Sequence, residues 1–195
     1  MKTLKKYFAN RKKHVFPLSC MLLYILFTGT DLYTTYLATP DLSQEINPVY
    51  LYFKWGWAGH LPYALVVLII AIGLALVSNK YIFRYYESKT QKISKSKFLF
   101  VISFLMLAYC YNNLIATFEC TINNYLGYIY SYSIHESCFH RVAESYVNLH
   151  AVFDNKFGEY SLINFVLIIE CLLAMLITIL QINRVKKHTQ NSTTT

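Results

Sequence analysis

Two carboxylic acids interrupt long apolar segments of this sequence, and they are the residues best suited to chemistry. Asp31 and Glu170 each stand where an apolar side chain is expected. An ionisable group at the centre of a membrane-spanning helix costs about 2.5–3.5 kcal/mol on insertion scales, so it normally faces inward and has a partner. The two acids could therefore bind a proton, an ion or a small ligand, act as a catalytic pair, or hold helices together through hydrogen bonds.

Counting about 1.5 Å per helical residue places these acids and two amides in one polar layer. The layer lies in the outer half of a bilayer, and we expect Asp31, Asn113 and Glu170 to face one another within it. Its predicted members are Asp31, Thr34, Thr35, Asn112, Asn113 and Glu170. Neither a catalytic nucleophile nor a water-activating metal motif accompanies them, so no catalytic residue is assigned. His135 and His140 are five residues apart and do not share a helix face, so no metal site and no cofactor are predicted.

The elements that must position this layer are four apolar segments. The chain has 195 residues, of which 55% are hydrophobic and only 14% are charged, too few for an ordinary soluble domain. Each segment approaches the length of about 20 residues that a bilayer requires. The predicted fold is a single all-α membrane domain of residues 1–195, an integral four-helix bundle. Its transmembrane helices cover about residues 17–38, 58–77, 98–118 and 161–182, and a polar tail covers residues 183–195.

Basic residues alternate between the polar regions and predict the orientation. Fifteen of the 18 lysines and arginines lie before the first segment, between the second and third, or after the fourth. By the positive-inside rule, both termini are cytoplasmic in a multi-pass protein of the cell membrane. The same rule explains the net charge of +8 without nucleic acid, so no nucleic-acid partner is expected.

The outer region between the third and fourth helices predicts one more helix and one disulfide. Apolar residues recur every three or four positions over about residues 135–153, which indicates an extracytoplasmic amphipathic helix, lying on the membrane surface or capping the bundle. Cys120 and Cys138 both fall on this side, where oxidising conditions favour disulfides, so they form a candidate pair. Spacing alone leaves open whether they meet.

Three short motifs carry a resemblance to a known family. They are Asp31-Leu-Tyr-Thr-Thr35, Glu45-Ile-Asn-Pro48 and Tyr109-Cys-Tyr-Asn-Asn-Leu114. The stretch of about residues 20–118 resembles a family of small prokaryotic multi-pass membrane proteins of unknown function. That family is similar in having an Asp and a Thr in its first helix, followed by a Glu-x-Asn-Pro element, here Glu45, Asn47 and Pro48. The resemblance implies a compact helical bundle without an established activity, and the chain departs from the pattern after Glu119.

The sequence leaves three functions open. The leading hypothesis is a non-enzymatic bundle component with a structural polar layer, whose partners are the lipid bilayer and either another membrane protein or a second copy of the chain. The second is a small transporter or proton- or ion-coupled channel that uses Asp31 and Glu170. The third is an intramembrane hydrolase, which needs a further catalytic group within hydrogen-bond reach of the two acids.

Overall fold

The chain is all-helical in the part that the structure describes. In this computed structural model, residues 15–42, 53–87, 97–132, 139–158 and 161–191 are described; they form five helices and no strand. The helices are α1 (Leu18–Ala38), α2 (Trp57–Glu87), α3 (Lys97–Ser131), α4 (His140–Phe157) and α5 (Ser161–Asn191). The all-α prediction is confirmed for these residues.

Three of the helices are long and apolar enough to cross a membrane, namely α2, α3 and α5. Their large side chains are unusually exposed: Ile69, Ile168 and Leu172 are 60–62% accessible, as expected for surfaces that face lipid rather than water. Helix α1 is not among the three. Its second half carries Asp31 and four threonines, which lower its mean hydropathy.

The helix bounds differ most from the predicted segments at their polar ends. Helix α1 matches residues 17–38 closely, whereas α2 continues ten residues past 77 and α3 thirteen past 118. Helix α4 begins at His140 rather than at 135, and α5 extends to Asn191 through most of the predicted tail. Hydropathy shows where a helix leaves lipid, but backbone hydrogen bonding carries the helix further.

Local chemistry explains both ends of α1. Pro17 precedes the helix, where its missing N–H has no cost, and its carbonyl accepts from the backbone N–H groups of Cys20 and Met21. At the other end Pro40 disfavours helical geometry at Thr39, so the helix stops at Ala38. The carbonyl of Pro40 then accepts a 2.8 Å hydrogen bond from Trp57 Nε1, which fixes the start of α2 beside the end of α1.

The chain divides into two compact units, and α1, α2, α3 and α5 each contribute to both. Unit 1 comprises the described residues of 1–23, 69–114 and 171–195, and unit 2 those of 24–68 and 115–170. In unit 1, the side chain of Asn79 binds the backbone just before α1. Its Oδ1 accepts from the backbone N–H of Phe16 at 2.9 Å, and its Nδ2 donates to the carbonyl of Phe16 at 3.1 Å. Tyr111 packs its ring on Phe16, with centroids 4.9 Å apart, and donates its hydroxyl to the carbonyl of Val15.

Candidate functional site

The central contact of unit 2 joins α1 to α3 through one amide. Asn124 Nδ2 donates to Asp31 Oδ1 at 3.2 Å and to Thr35 Oγ1 at 2.9 Å. Asp31 and Thr35 are four residues apart, so they lie on the same face of α1 and one side chain can reach both. Thr35 and the neighbouring Thr34 are buried, and Thr34 Oγ1 donates to the backbone carbonyl of Asp31.

A second contact between the same helices uses hydroxyls. Thr30 Oγ1 and Thr121 Oγ1 are 3.4 Å apart, and each also bonds a backbone carbonyl. Beside them, the rings of Phe27 and Phe118 pack with centroids 4.9 Å apart. The spacing of Thr117, Thr121 and Asn124 places them on one side of α3. Helices α1 and α3 are thus joined by alternating polar and aromatic contacts.

An adjacent face of α3 bonds the amphipathic helix α4. Asn123 Nδ2 donates to Glu119 Oε1, one helical turn away, and Asn123 Oδ1 accepts from the hydroxyl of Tyr146. Ala143, one turn before Tyr146 on α4, is fully buried against Leu126 and Ile129. Burial, followed by the charge of Glu119 and then by Cys120, raises the pKa of Tyr146 to about 12. The tyrosine is therefore a neutral donor near neutral pH.

Glu170 is the most unusual side chain of unit 2. It is buried on α5, and within the described part of the chain its Oε1 has no hydrogen-bond partner. A buried oxygen without a donor costs about 1–3 kcal/mol, more if charged, so its retention calls for an explanation.

The structure gives Asp31 an amide partner, Asn124, that depth counting did not propose. The side chain of Asn113 donates to the carbonyl of Tyr109 in its own helix, at 2.9 Å, and Asn112 Oδ1 is buried without a hydrogen-bond partner among the described residues. Both amides belong to unit 1, whereas Asp31 and Glu170 belong to unit 2. Convergence of Asp31, Asn113 and Glu170 in one layer therefore stays a prediction.

Sequence reasoning missed the residues that link α3 to α1 and to α4. They are Glu119, Thr121, Asn123, Asn124 and Tyr146. The available signal is the threonine and asparagine spacing of residues 117–124. Most of that stretch lies beyond residue 118, where the third transmembrane segment is predicted to end.

Two predicted sites fall wholly or partly outside the described residues. Glu45, Asn47 and Pro48 lie in the segment 43–52, which the structure leaves undescribed. Cys138 also lies outside the described residues, whereas Cys120 is exposed on α3. The Glu-x-Asn-Pro element and the disulfide therefore stay predictions.

The chemistry available to unit 2 is that of carboxyl, amide and hydroxyl groups. Among the described residues, no group of three or more His, Cys, Asp or Glu side chains is arranged to hold a metal ion. Comparison of the chain with protein-family models, with curated proteins and with solved structures gives no match. The proposals below therefore rest on the contacts and charges of this chain alone.

Proposed function

We propose that this chain is a multi-pass membrane protein of four spans, with both termini cytoplasmic, whose polar network in unit 2 fastens helices rather than performing catalysis. In this proposal α1 is the fourth span, and α4 lies on the extracytoplasmic side. The alternation of basic regions supports the orientation, because those regions flank the spans on one side. The resemblance of residues 20–118 to a family of small prokaryotic membrane proteins implies a compact helical bundle, which agrees with this proposal.

One observation carries the structural role of the network: Asn124 bonds Asp31 and Thr35 at the same time. In lipid, an unpaired carboxyl or hydroxyl has no water to replace a lost partner. The amide therefore allows α1 to span the membrane despite Asp31, and the aspartate in turn fixes the packing of α1 on α3. A scaffold or partner-binding component needs such a fixed arrangement and no reactive group.

Stability measurements test this role. Asp31→Leu should lower the free energy of unfolding by about 1–3 kcal/mol, because Asn124 loses an acceptor in a partly buried contact. Asp31→Asn keeps an acceptor at nearly the same volume and should unfold close to the parent temperature in detergent. The double variant with Asn124→Leu should lose less than the sum of the single changes, with a coupling of about 0.5–3 kcal/mol. A parent-like Asp31→Leu would refute the contact.

The buried Oε1 of Glu170 favours a second candidate, a small transporter or proton-coupled channel that uses Asp31 and Glu170. A carboxyl group that lacks a fixed donor is free to bind and release a proton or a cation. The network around Asn124 would then hold the site in place.

Flux through liposomes separates the two candidates. The second predicts that the parent protein dissipates an imposed pH or cation gradient faster than empty liposomes. Glu170→Gln should retain parent stability and abolish the flux. Glu144→Gln removes an exposed carboxylate from α4 and serves as the matched control, with flux unchanged. Parent protein that gives no flux above empty liposomes would eliminate the second candidate.

A further inference from the structure

The amphipathic helix α4 leaves an apolar flank uncovered. Val142, Leu149 and Phe157 are 51%, 47% and 64% exposed. At about 100° per residue they fall within an arc of about 80° on the helix surface. Glu144, Asn148 and Asn155 are also exposed but lie on the opposite side. A water-filled environment explains the polar side and leaves the apolar flank unexplained.

Contacts with α3 fix the position of α4 along the length of α3. The ring of Phe139 is 6.3 Å from that of Tyr125, Ala143 packs on Leu126 and Ile129, and Tyr146 bonds Asn123. These contacts all fall between residues 123 and 129, a rise of about 9 Å along α3. The first half of α4 is therefore held against a short band near the end of α3.

Contacts with α5 fix the other end of α4 where a span begins. The backbone N–H and the hydroxyl of Ser161 both donate to Asp154 Oδ1, at 3.2 and 3.3 Å. The rings of Phe153 and Phe165 lie 6.4 Å apart, so the apolar arc of α4 continues onto the first turns of α5. Ser161 is the first residue of a helix apolar enough to cross a membrane. Leu149 and Phe157 therefore lie close to the place where α5 enters lipid.

We propose that α4 is an interfacial helix whose Val142–Leu149–Phe157 flank contacts the lipid bilayer, at the boundary of headgroups and acyl chains. The continuity of this flank with the apolar start of α5 selects lipid as its occupant. A basic residue, Lys156, stands next to Phe157 with its Nζ 5.4 Å from the ring centroid, as suits a side chain that reaches toward phosphate. The inference rests on the proposed membrane-spanning role of α5.

Photocrosslinking from the flank tests the inference. The full chain carries p-benzoylphenylalanine in place of Leu149 and is reconstituted in liposomes of phosphatidylcholine and phosphatidylglycerol. After illumination, mass spectrometry should show an adduct of one lipid, several-fold more abundant than with the probe at Asn148. Asn148 is the matched control, because it is the sequence neighbour about 100° around the same helix. Val142 provides a second flank position in case the probe at 149 prevents folding.

Each other outcome overturns a defined part of the account. The probe at Ile168, an exposed residue of α5 within unit 2, should also give a lipid adduct. Adducts at 168 with none at 149 or 142 would refute the interfacial helix and leave the membrane span intact. A crosslinked dimer from 149 would show that a second copy covers the flank and would likewise refute it. Absence of lipid adducts at 168 would refute the proposed span of α5 itself.

Discussion

At the scale of single residues, amides organise most of the polar contacts described above. Asn124 bonds Asp31 and Thr35, and Asn123 links Glu119 to Tyr146. In unit 1, Asn79 bonds both backbone groups of Phe16. An amide offers donors and an acceptor without carrying charge, so it can be buried without the cost of removing an ion from water. Buried amides therefore suit a protein that must satisfy polar groups inside lipid.

The sequence revealed the acids of this site more readily than their partners. Asp31 and Glu170 stand out because they interrupt apolar segments. Placing an ionisable side chain inside a membrane-spanning segment is costly however the helices pack. The contact of Asn124 could not be predicted in this way, because an asparagine near the end of a long helix is not unusual. The contact depends on the register of α1 against α3, and register depends on side-chain packing that no local pattern records.

The burial of Tyr146 predicts a stability change at high pH. Its pKa in the folded chain is about 12, above its ordinary value of 10.0, so the folded state keeps the proton longer than the unfolded state. The stabilisation is complete below about pH 10 and is lost as the pH rises through about 12. Tyr146→Phe removes the hydrogen bond to Asn123 and should be less stable than the parent at neutral pH. Because phenylalanine does not titrate, the difference should shrink in the alkaline range.

Denaturant unfolding of parent and variant at a series of pH values would measure this effect. Tyr132→Phe, which changes an exposed tyrosine at the end of α3, is the control. A difference between parent and Tyr146→Phe that stays constant through this pH range would contradict the described environment of Tyr146.

At the scale of elements, the sequence predicted the helices better than their ends. Apolar runs located the cores of α1, α2, α3 and α5, because membrane helices must satisfy their backbone internally over a set length. The helices extend beyond the predicted transmembrane segments where polar helix-forming residues follow, as with Lys80 and Arg84 in α2. These residues leave the apolar region but do not interrupt the backbone hydrogen bonds. The turn that ends α4 depends instead on the backbone conformation of Gly158.

Gly158 is predicted to control that turn. Its φ of 101° is unfavourable for any residue that has a Cβ. Among the described residues, nothing beyond its immediate chain neighbours lies within 4 Å of the place where a Cβ would be. Gly158→Ala should therefore cost about 1–3 kcal/mol through backbone strain alone. Gly127→Ala lies in α3 with equal space and no positive φ, and it should stabilise the protein by about 0.4–1 kcal/mol.

Thermal unfolding of the two glycine variants in detergent compares the same chemical change in two backbone conformations. Equal effects of Gly158→Ala and Gly127→Ala would show that the α4–α5 turn does not need the described conformation.

At the scale of the whole molecule, the proposed orientation rests on charge and the proposed spans rest on apolarity. Both proposals require that α1 crosses the membrane. Helices α2, α3 and α5 qualify as spans by length and composition, while the polar second half of α1 weakens its own case. The contacts of Asp31 and Thr35 with Asn124 explain how α1 could remain in lipid. An odd number of spans would place the two termini on opposite sides.

The most direct test of the proposed architecture is therefore the sidedness of the two ends of α1. Single cysteines at Thr3 and Ser43, in a chain whose native cysteines are serines, can be labelled with a reagent that does not cross membranes. The four-span account predicts labelling of Thr3→Cys only from the cytoplasmic side and of Ser43→Cys only from outside. Labelling of both positions from the same side would show that α1 does not cross the membrane and would contradict the account.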